Sequence, residues 1–235
     1  MIEIKHLTKK YGNFIAVDNI DLLAQNGQIT ILLGPNGAGK STTIKSVAGL
    51  LKFDGEILIE GYPNLSLEAK KEFGYVAELP SFYDLLTVDE HMNFIEKAYQ
   101  LEPNQAYREH LLERFDLLDK RHKLAKELSK GMTQKLSLCC ALLIRPQSLL
   151  VDEPMIGLDP VAIDEVLEVL VELKNENKAI LMSTHIIDMI NDIWDVAYIM
   201  DKAKIVARVE KNQLQEGETL KKIFFEKVGE HHETK

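Results

Sequence analysis

Cysteine is scarce in this 235-residue chain: Cys139 and Cys140 are the only two, and they are adjacent. Neighbouring cysteines make a poor disulfide pair, and no metal-ligand spacing surrounds them, so a disulfide scaffold and a thiolate metal site are excluded. They read as small buried hydrophobes in a reducing compartment. Basic residues are short as well. There are 28 lysines and arginines against 37 aspartates and glutamates, a formal net charge of -9. Such a surface argues against broad, nonspecific binding of DNA or RNA. Long apolar runs are missing. The longest, Leu136 to Ile144, is interrupted by Ser137 and ends at Arg145, short of the roughly 20 residues that span a bilayer. Met1-Ile2-Glu3-Ile4-Lys5 alternates apolar and charged residues like a strand and carries no secretory pattern. This chain alone therefore cannot form a membrane channel, and any part in transport needs another polypeptide.

What the chain does carry is Gly34-Pro35-Asn36-Gly37-Ala38-Gly39-Lys40-Ser41, which fits the phosphate-binding loop G-x-x-x-x-G-K-[ST]. Ile29 to Leu33 before it reads as a buried strand, and Lys40 through Leu50 as a helix. Glycines let successive backbone N–H groups turn inward around phosphate oxygens. The helix N-terminus adds partial positive charge. Lys40 then belongs on the β- and γ-phosphates and the Ser41 hydroxyl on Mg2+, with Thr42 among the nucleotide-binding residues.

The first third is strand-rich, at Ile2 to Leu7, around Val17 to Leu23, at Ile29 to Leu33 and at Glu56 to Glu60. From about Thr87 to Ile144 helical spacing takes over, in Asp89 to Gln100, Gln105 to Leu118 and Thr133 to Ile144. Strand and helix alternate again after Pro146. Leu149 to Val151 is a strand, Asp159-Pro160 supplies an N-cap and a first-turn proline, and Ala179 to Met182 is a strand. Ala197 to Met200 and Lys204 to Arg208 form a hairpin. A helical block thus interrupts a phosphate-loop α/β core. No guanine-reading Asn-Lys-x-Asp is present, unlike in small GTPases.

Leu149-Leu150-Val151-Asp152-Glu153 is an apolar strand ending in two acids. A carboxylate at a strand end beside a phosphate loop suits Mg2+, usually through water; that role goes to Asp152. The next residue points differently. Glu153 becomes the general base, or the positioner of a water for in-line attack on a γ-phosphate.

Further motifs stand in a fixed order around these two: Lys9-Lys10-Tyr11-Gly12, Leu128-Ser129-Lys130-Gly131-Met132, Gly157-Leu158-Asp159 and Ser183-Thr184-His185. The set resembles the nucleotide-binding subunit of an ATP-binding cassette (ABC) transporter over almost the full length, nearest to exporter-type ATPases. The resemblance implies an α/β fold: a phosphate-loop NTPase core over 1–86 and 146–228, an N-terminal antiparallel β subdomain, an inserted α-helical subdomain over 87–145, and a frayed tail over 229–235. It implies ATP and Mg2+ as cofactors and ATP hydrolysis as the activity. Tyr11 corresponds to the aromatic that stacks on adenine. A second cassette, identical or not, is the implied partner in an ATP sandwich. In it Ser129 and the Gly131 N–H touch the γ-phosphate held by the partner, His185 bonds the γ-phosphate in cis, and Asp159 links the two sites. The other implied partner is a separate transmembrane permease, which places the chain on the inner face of the cell membrane. No nucleic acid is expected.

Three departures qualify the resemblance. The signature has Lys130 for Gly and Met132 for Gln, and the lysine points either toward phosphate or into solvent. The family's glutamine near the metal falls at Glu78, a carboxylate that still reaches Mg2+ or its water as an acceptor; similar glutamate-bearing sequences occur among exporter ATPases. Met155-Ile156 replaces small polar residues. The segment Leu79 to Glu90, with Phe82 and Tyr83, is where this family receives a coupling helix, although both aromatics suit the local core equally well. The rival readings are a non-transport ATP switch on ribosomes or DNA, which lacks its usual second cassette here, and a small-molecule kinase, which leaves the last three motifs unexplained.

Overall fold

Alternating apolar residues generate the first layer. The computed structural model describes residues 1–190 and 192–233. β1 (Ile2–Tyr11) buries Ile2, Ile4 and Leu7 and pairs antiparallel with β2 (Phe14–Ala24). Next come β3 (Gln28–Leu33), α1 (Lys40–Val47), β4 (Asp54–Ile59), β5 (Tyr62–Pro63), α2 (Leu67–Glu72) and β6 (Phe73–Val76). The order β2-β1-β4-β5 makes a four-stranded antiparallel sheet.

The helical segment holds α3 (Val88–Ala98), α4 (Gln105–Arg114) and α5 (Lys130–Leu143). Thr87 and Glu90 form a reciprocal capping box at α3. The expected helix to Leu118 stops at Arg114, because Asp116 turns the chain left-handed at φ 54 and its N–H closes on the Glu113 carbonyl. The expected start at Thr133 moves back to Lys130, because the Ser129 hydroxyl accepts the Met132 N–H and caps the helix earlier.

The remaining elements are β7 (Ser148–Asp152), α6 (Pro160–Asn175), β8 (Ala179–Thr184), β9 (Val196–Asp201), β10 (Lys204–Glu210) and α7 (Leu220–Glu233). Asp159 caps α6 through the Ala162 N–H, as the Asp-Pro pair suggests. β9 and β10 are an antiparallel hairpin. α7 runs to Glu233, into the stretch expected as a frayed tail, and residues 234 and 235 of that stretch lie outside the described residues. The sequence pattern had also given no account of α2, β5, β6 or α7.

The second sheet has the order β10-β9-β3-β8-β7-β6, parallel from β9 to β6. Its parallel strands are buried on both faces, and alternation along each of them sorts the two cores. Ile29, Ile31, Leu33 and Val151 face a core shared with α3, α5 and α6. Leu32, Leu150 and Leu181 face the antiparallel sheet and α1, against Ile2, Ile4, Ile44 and Val47. Each such fully buried side chain contributes about 1.5–3 kcal/mol. The consequence for function is geometric. β3, β8, β7 and β6 run parallel, so their C-terminal ends open on one edge, where ligands of α/β sheets bind.

Candidate active site

β3 runs directly into the phosphate loop, and α1 starts at Lys40 with Gly39 as its N-cap. Gly39 takes φ 111, and a Cβ there would stand 2.5 Å from the Ala16 carbonyl oxygen, so only glycine fits. The loop is braced by Ala38, whose N–H donates to the Pro35 carbonyl and whose carbonyl accepts the Ala203 N–H from the β9–β10 turn. Asn36 and Gly37 at its crown are exposed. Lys40 is 5% exposed, and its Nζ donates to the carbonyls of Gly34 at 2.8 Å and Pro35 at 3.2 Å.

The end of β7 supplies the two acids. Asp152 is fully buried; its Oδ1 accepts from the Ser183 hydroxyl at 2.6 Å, while Oδ2 has no hydrogen-bond partner among the described residues. Glu153 is also buried, and its backbone is left-handed at φ 48. That conformation costs about 1–3 kcal/mol in a non-glycine. It is held by a forked bond from the Glu153 N–H to the Ser183 carbonyl and hydroxyl. The turn swings the Glu153 carboxylate into the cleft. There Oε1 is 3.4 Å from Lys40 Nζ and Oε2 is 2.9 Å from His185 Nδ1. In the second contact the carboxylate can only accept, so Nδ1–H is the donor. His185 follows directly after β8, and Glu78 stands two residues beyond β6.

These strand ends line a cleft of about 410 Å³, with Lys40, Ser41, Thr42, Glu78, Glu153 and His185 on its polar side. Tyr11 and Phe14, cross-strand partners at the β1–β2 turn, stand half-exposed or more at its mouth. Lys9 Nζ lies 4.7 Å above the Tyr11 ring and covers one of its faces. Burial pushes the Tyr75 phenol up to about 12, and the carboxylates of Asp152 and Glu78 add to the rise. Ser129, Gly131 and Asp159 are not among the cleft residues. The Ser129 hydroxyl caps its own helix, and so does the Asp159 carboxylate.

A family model described as ABC transporter matches residues 17–156. The chain belongs to the ABC transporter family. It is 34% identical over 218 residues to "Uncharacterized ABC transporter ATP-binding protein YhaQ" of Bacillus subtilis (strain 168), covering 92% of this chain and 73% of that protein. It is 31% identical over 233 residues to "Lipopolysaccharide export system ATP-binding protein LptB" of Haemophilus influenzae (strain ATCC 51907 / DSM 11121 / KW20 / Rd), covering 95% of this chain and 96% of that one. The structure "Structure of ATP binding subunit of ABC transporter" superposes with a TM-score of 0.88 at 32% identity, over 96% of this chain and 98% of that one. The protein is thus an ATP-binding subunit of an ABC transporter, with ATP hydrolysis coupled to transport. Among the described residues no helix is long and apolar enough to cross a membrane.

The cassette site also contains residues that the motifs had passed over. Phe14 had a signal: Gly12-Asn13 is a two-residue hairpin turn, which pairs the residues on either side of it. Ser183 stood in the Ser183-Thr184-His185 motif without a role of its own and Tyr75 had no signal, since their importance comes from β8 and β6 each lying beside β7. Lys130 takes neither expected direction wholly: it is exposed, yet its stem packs against Gly157. Of the two aromatics after Glu78, Phe82 packs against the main core and Tyr83 is 62% exposed.

Proposed function

We propose that this cassette drives export through a separate transmembrane permease by closing on a second cassette around ATP and reopening after hydrolysis. The observation that carries this reading is the buried Glu153 carboxylate, held between Lys40 and His185 at the mouth of a phosphate loop. Backbone N–H groups of Asn36, Gly37 and Gly39 and of the start of α1 bind the phosphates, and Lys40 neutralises the β- and γ-oxygens. Tyr11 stacks adenine on the face that Lys9 leaves open. Glu153 takes the proton from the attacking water, or positions that water, and His185 bonds the γ-phosphate in cis by donating a ring N–H.

The unpartnered Oδ2 of Asp152, the hydroxyl of Ser41 and the carboxylate of Glu78 fit Mg2+, a hard cation that takes one or two protein oxygens beside phosphates and waters. When bound, the ion neutralises charge on the β- and γ-oxygens. Ser129, Gly131 and Asp159 stand outside the cleft of their own chain, which is what residues that complete a partner's site must do. ATP then favours the closed pair, because its γ-phosphate finds its full set of donors only there.

Export is supported by Glu78 and by likeness to a relative whose name is that of an export system. The permease surface is the exposed apolar group of Leu79, Tyr83, Leu85 and Phe94, in which Tyr83 stacks on His91 and meets Phe94 edge-on. Its use puts the cassette on the cytoplasmic face of the membrane. Tyr83→Glu is expected to lower co-purification of the permease about tenfold, by placing a charge in an apolar contact, with ATP affinity unchanged. Equal recovery of permease by variant and wild type refutes the surface. Phe82→Glu is the wrong probe, since it charges a residue packed on the core.

The test of closure is kinetic. At protein concentrations below the pairing constant, the ATPase rate of the isolated cassette rises with the square of concentration. A rate that stays proportional to concentration throughout means that one copy suffices, and the pairing mechanism fails.

A further inference from the structure

Lys130, the residue by which the signature departs most from its family, has a definite place in the fold. Gly157 takes φ 84, and a Cβ built there would stand 2.7 Å from Lys130 Cδ, 2.8 Å from Cε and 3.1 Å from Nζ. The lysine stem therefore lies across the bare α-carbon of Gly157, in space that any side chain would need. A second contact flanks it. A Cβ on Gly131 would rest 3.7 Å from the Gly157 carbonyl oxygen and 3.7 Å from Leu158 Cδ2, ordinary packing distances. The first turn of α5 is thus laid onto the loop 154–158.

That loop is wound directly from Glu153. The Ile156 N–H donates to the Glu153 carbonyl and the Leu158 N–H to the Met155 carbonyl, both at 3.3 Å. It ends at Asp159, the cap of α6. A shift of Gly157 is therefore transmitted along two tight turns to the left-handed backbone of Glu153. The charge of Lys130 has no comparable local reason. The residue opens α5, where the helix dipole disfavours a cation, and no acid stands in that turn. No carboxylate pairs with its Nζ among the described residues. An exposed side chain whose Cδ and Cε cover a glycine, and whose ammonium has no acidic partner, acts through its stem.

We propose that Lys130 is a positioning residue: its methylene stem fastens the 154–158 loop to the first turn of α5. Ser129, Gly131 and Asp159 then meet the partner's nucleotide as one rigid unit, and Glu153 keeps its register. The proposal rests on the closure of two cassettes described above and adds to it the part that keeps each half rigid.

Two measurements on the full chain test it. The first needs no closure. Hydrogen exchange of the nucleotide-free protein is expected to rise at the 156 and 158 amides in Lys130→Gly but not in Lys130→Met, which keeps the stem and loses the charge. The second is steady-state ATPase. Lys130→Gly is expected to lower kcat roughly threefold to tenfold with the dissociation constant for a fluorescent ATP analogue unchanged, and Lys130→Met to stay within about twofold of wild type. Gly157→Ala is expected to cost less in the Lys130→Gly background than in wild type, because the clash with the stem is gone. The proposal is overturned if Lys130→Met is as slow as Lys130→Gly, which assigns the effect to charge. It is also overturned if Lys130→Gly exchanges and turns over like wild type, or if the two substitutions are additive. Failure of closure shows separately, in the concentration dependence of the wild-type rate.

Discussion

Glu153→Gln is expected to lower ATP turnover by roughly two to four orders of magnitude while leaving ATP binding intact, the usual yield of a positioned base. The substitution removes the basicity of the side chain together with the negative charge 3.4 Å from Lys40 Nζ, and keeps the backbone. Glutamine has nearly the same shape, so the left-handed turn at residue 153 and its forked bond to Ser183 are kept. The amide carbonyl still accepts from His185 Nδ1, at the position now 2.9 Å away. What is lost is an acceptor basic enough to take a proton from water. With hydrolysis blocked, the closed pair accumulates, and size-exclusion chromatography with ATP shows a dimer. A variant that hydrolyses ATP at near wild-type rate removes Glu153 from the mechanism. A variant that is slow yet remains monomeric with ATP keeps the base and refutes closure.

Lys40→Ala acts on the step before. Lys40 is 5% exposed, and its Nζ is spread over the Gly34 and Pro35 carbonyls and the Glu153 carboxylate. Phosphate oxygens displace weaker neutral acceptors from this ammonium, and a hydrogen bond to a charged group contributes about 1.5–3 kcal/mol. The ATP dissociation constant is therefore expected to rise roughly tenfold to a hundredfold, read by titration with a fluorescent analogue. Thermal unfolding is measured beside it, because the substitution also leaves Glu153 without its buried cation. An unchanged dissociation constant counts against the phosphate-loop assignment.

The two substitutions separate binding from chemistry, and they differ in how visible their targets were. Lys40 could be read from eight consecutive residues, since the loop's spacing demands a cation there. Glu153 could be read from an apolar run ending in two acids. The pairing of Glu153 with His185 could not, because 32 residues separate them. Helix ends were misjudged where a side chain capped earlier than the apolar pattern began, as Ser129 does, or where a left-handed residue ended the helix, as Asp116 does. β6 escaped notice because Phe73-Gly74-Tyr75-Val76 is short and glycine-containing, and becomes a strand by pairing with β7. The fate of Phe82 and Tyr83 was open for a related reason: two adjacent aromatics look alike until a core lies beside one of them.

Local order along the chain determined the family, the phosphate loop, the acidic pair and the helical interruption, because each depends on neighbours within a few bonds or a few turns. The strand order β3-β8-β7-β6 was decided only in three dimensions, by which hydrophobic faces could be buried together. That order brings Lys40, Glu78, Glu153 and His185 to one cleft, sends Ser129 and Asp159 away from it, and lays Lys130 on Gly157. Such meetings join residues far apart in sequence, and no spacing along the chain encodes them.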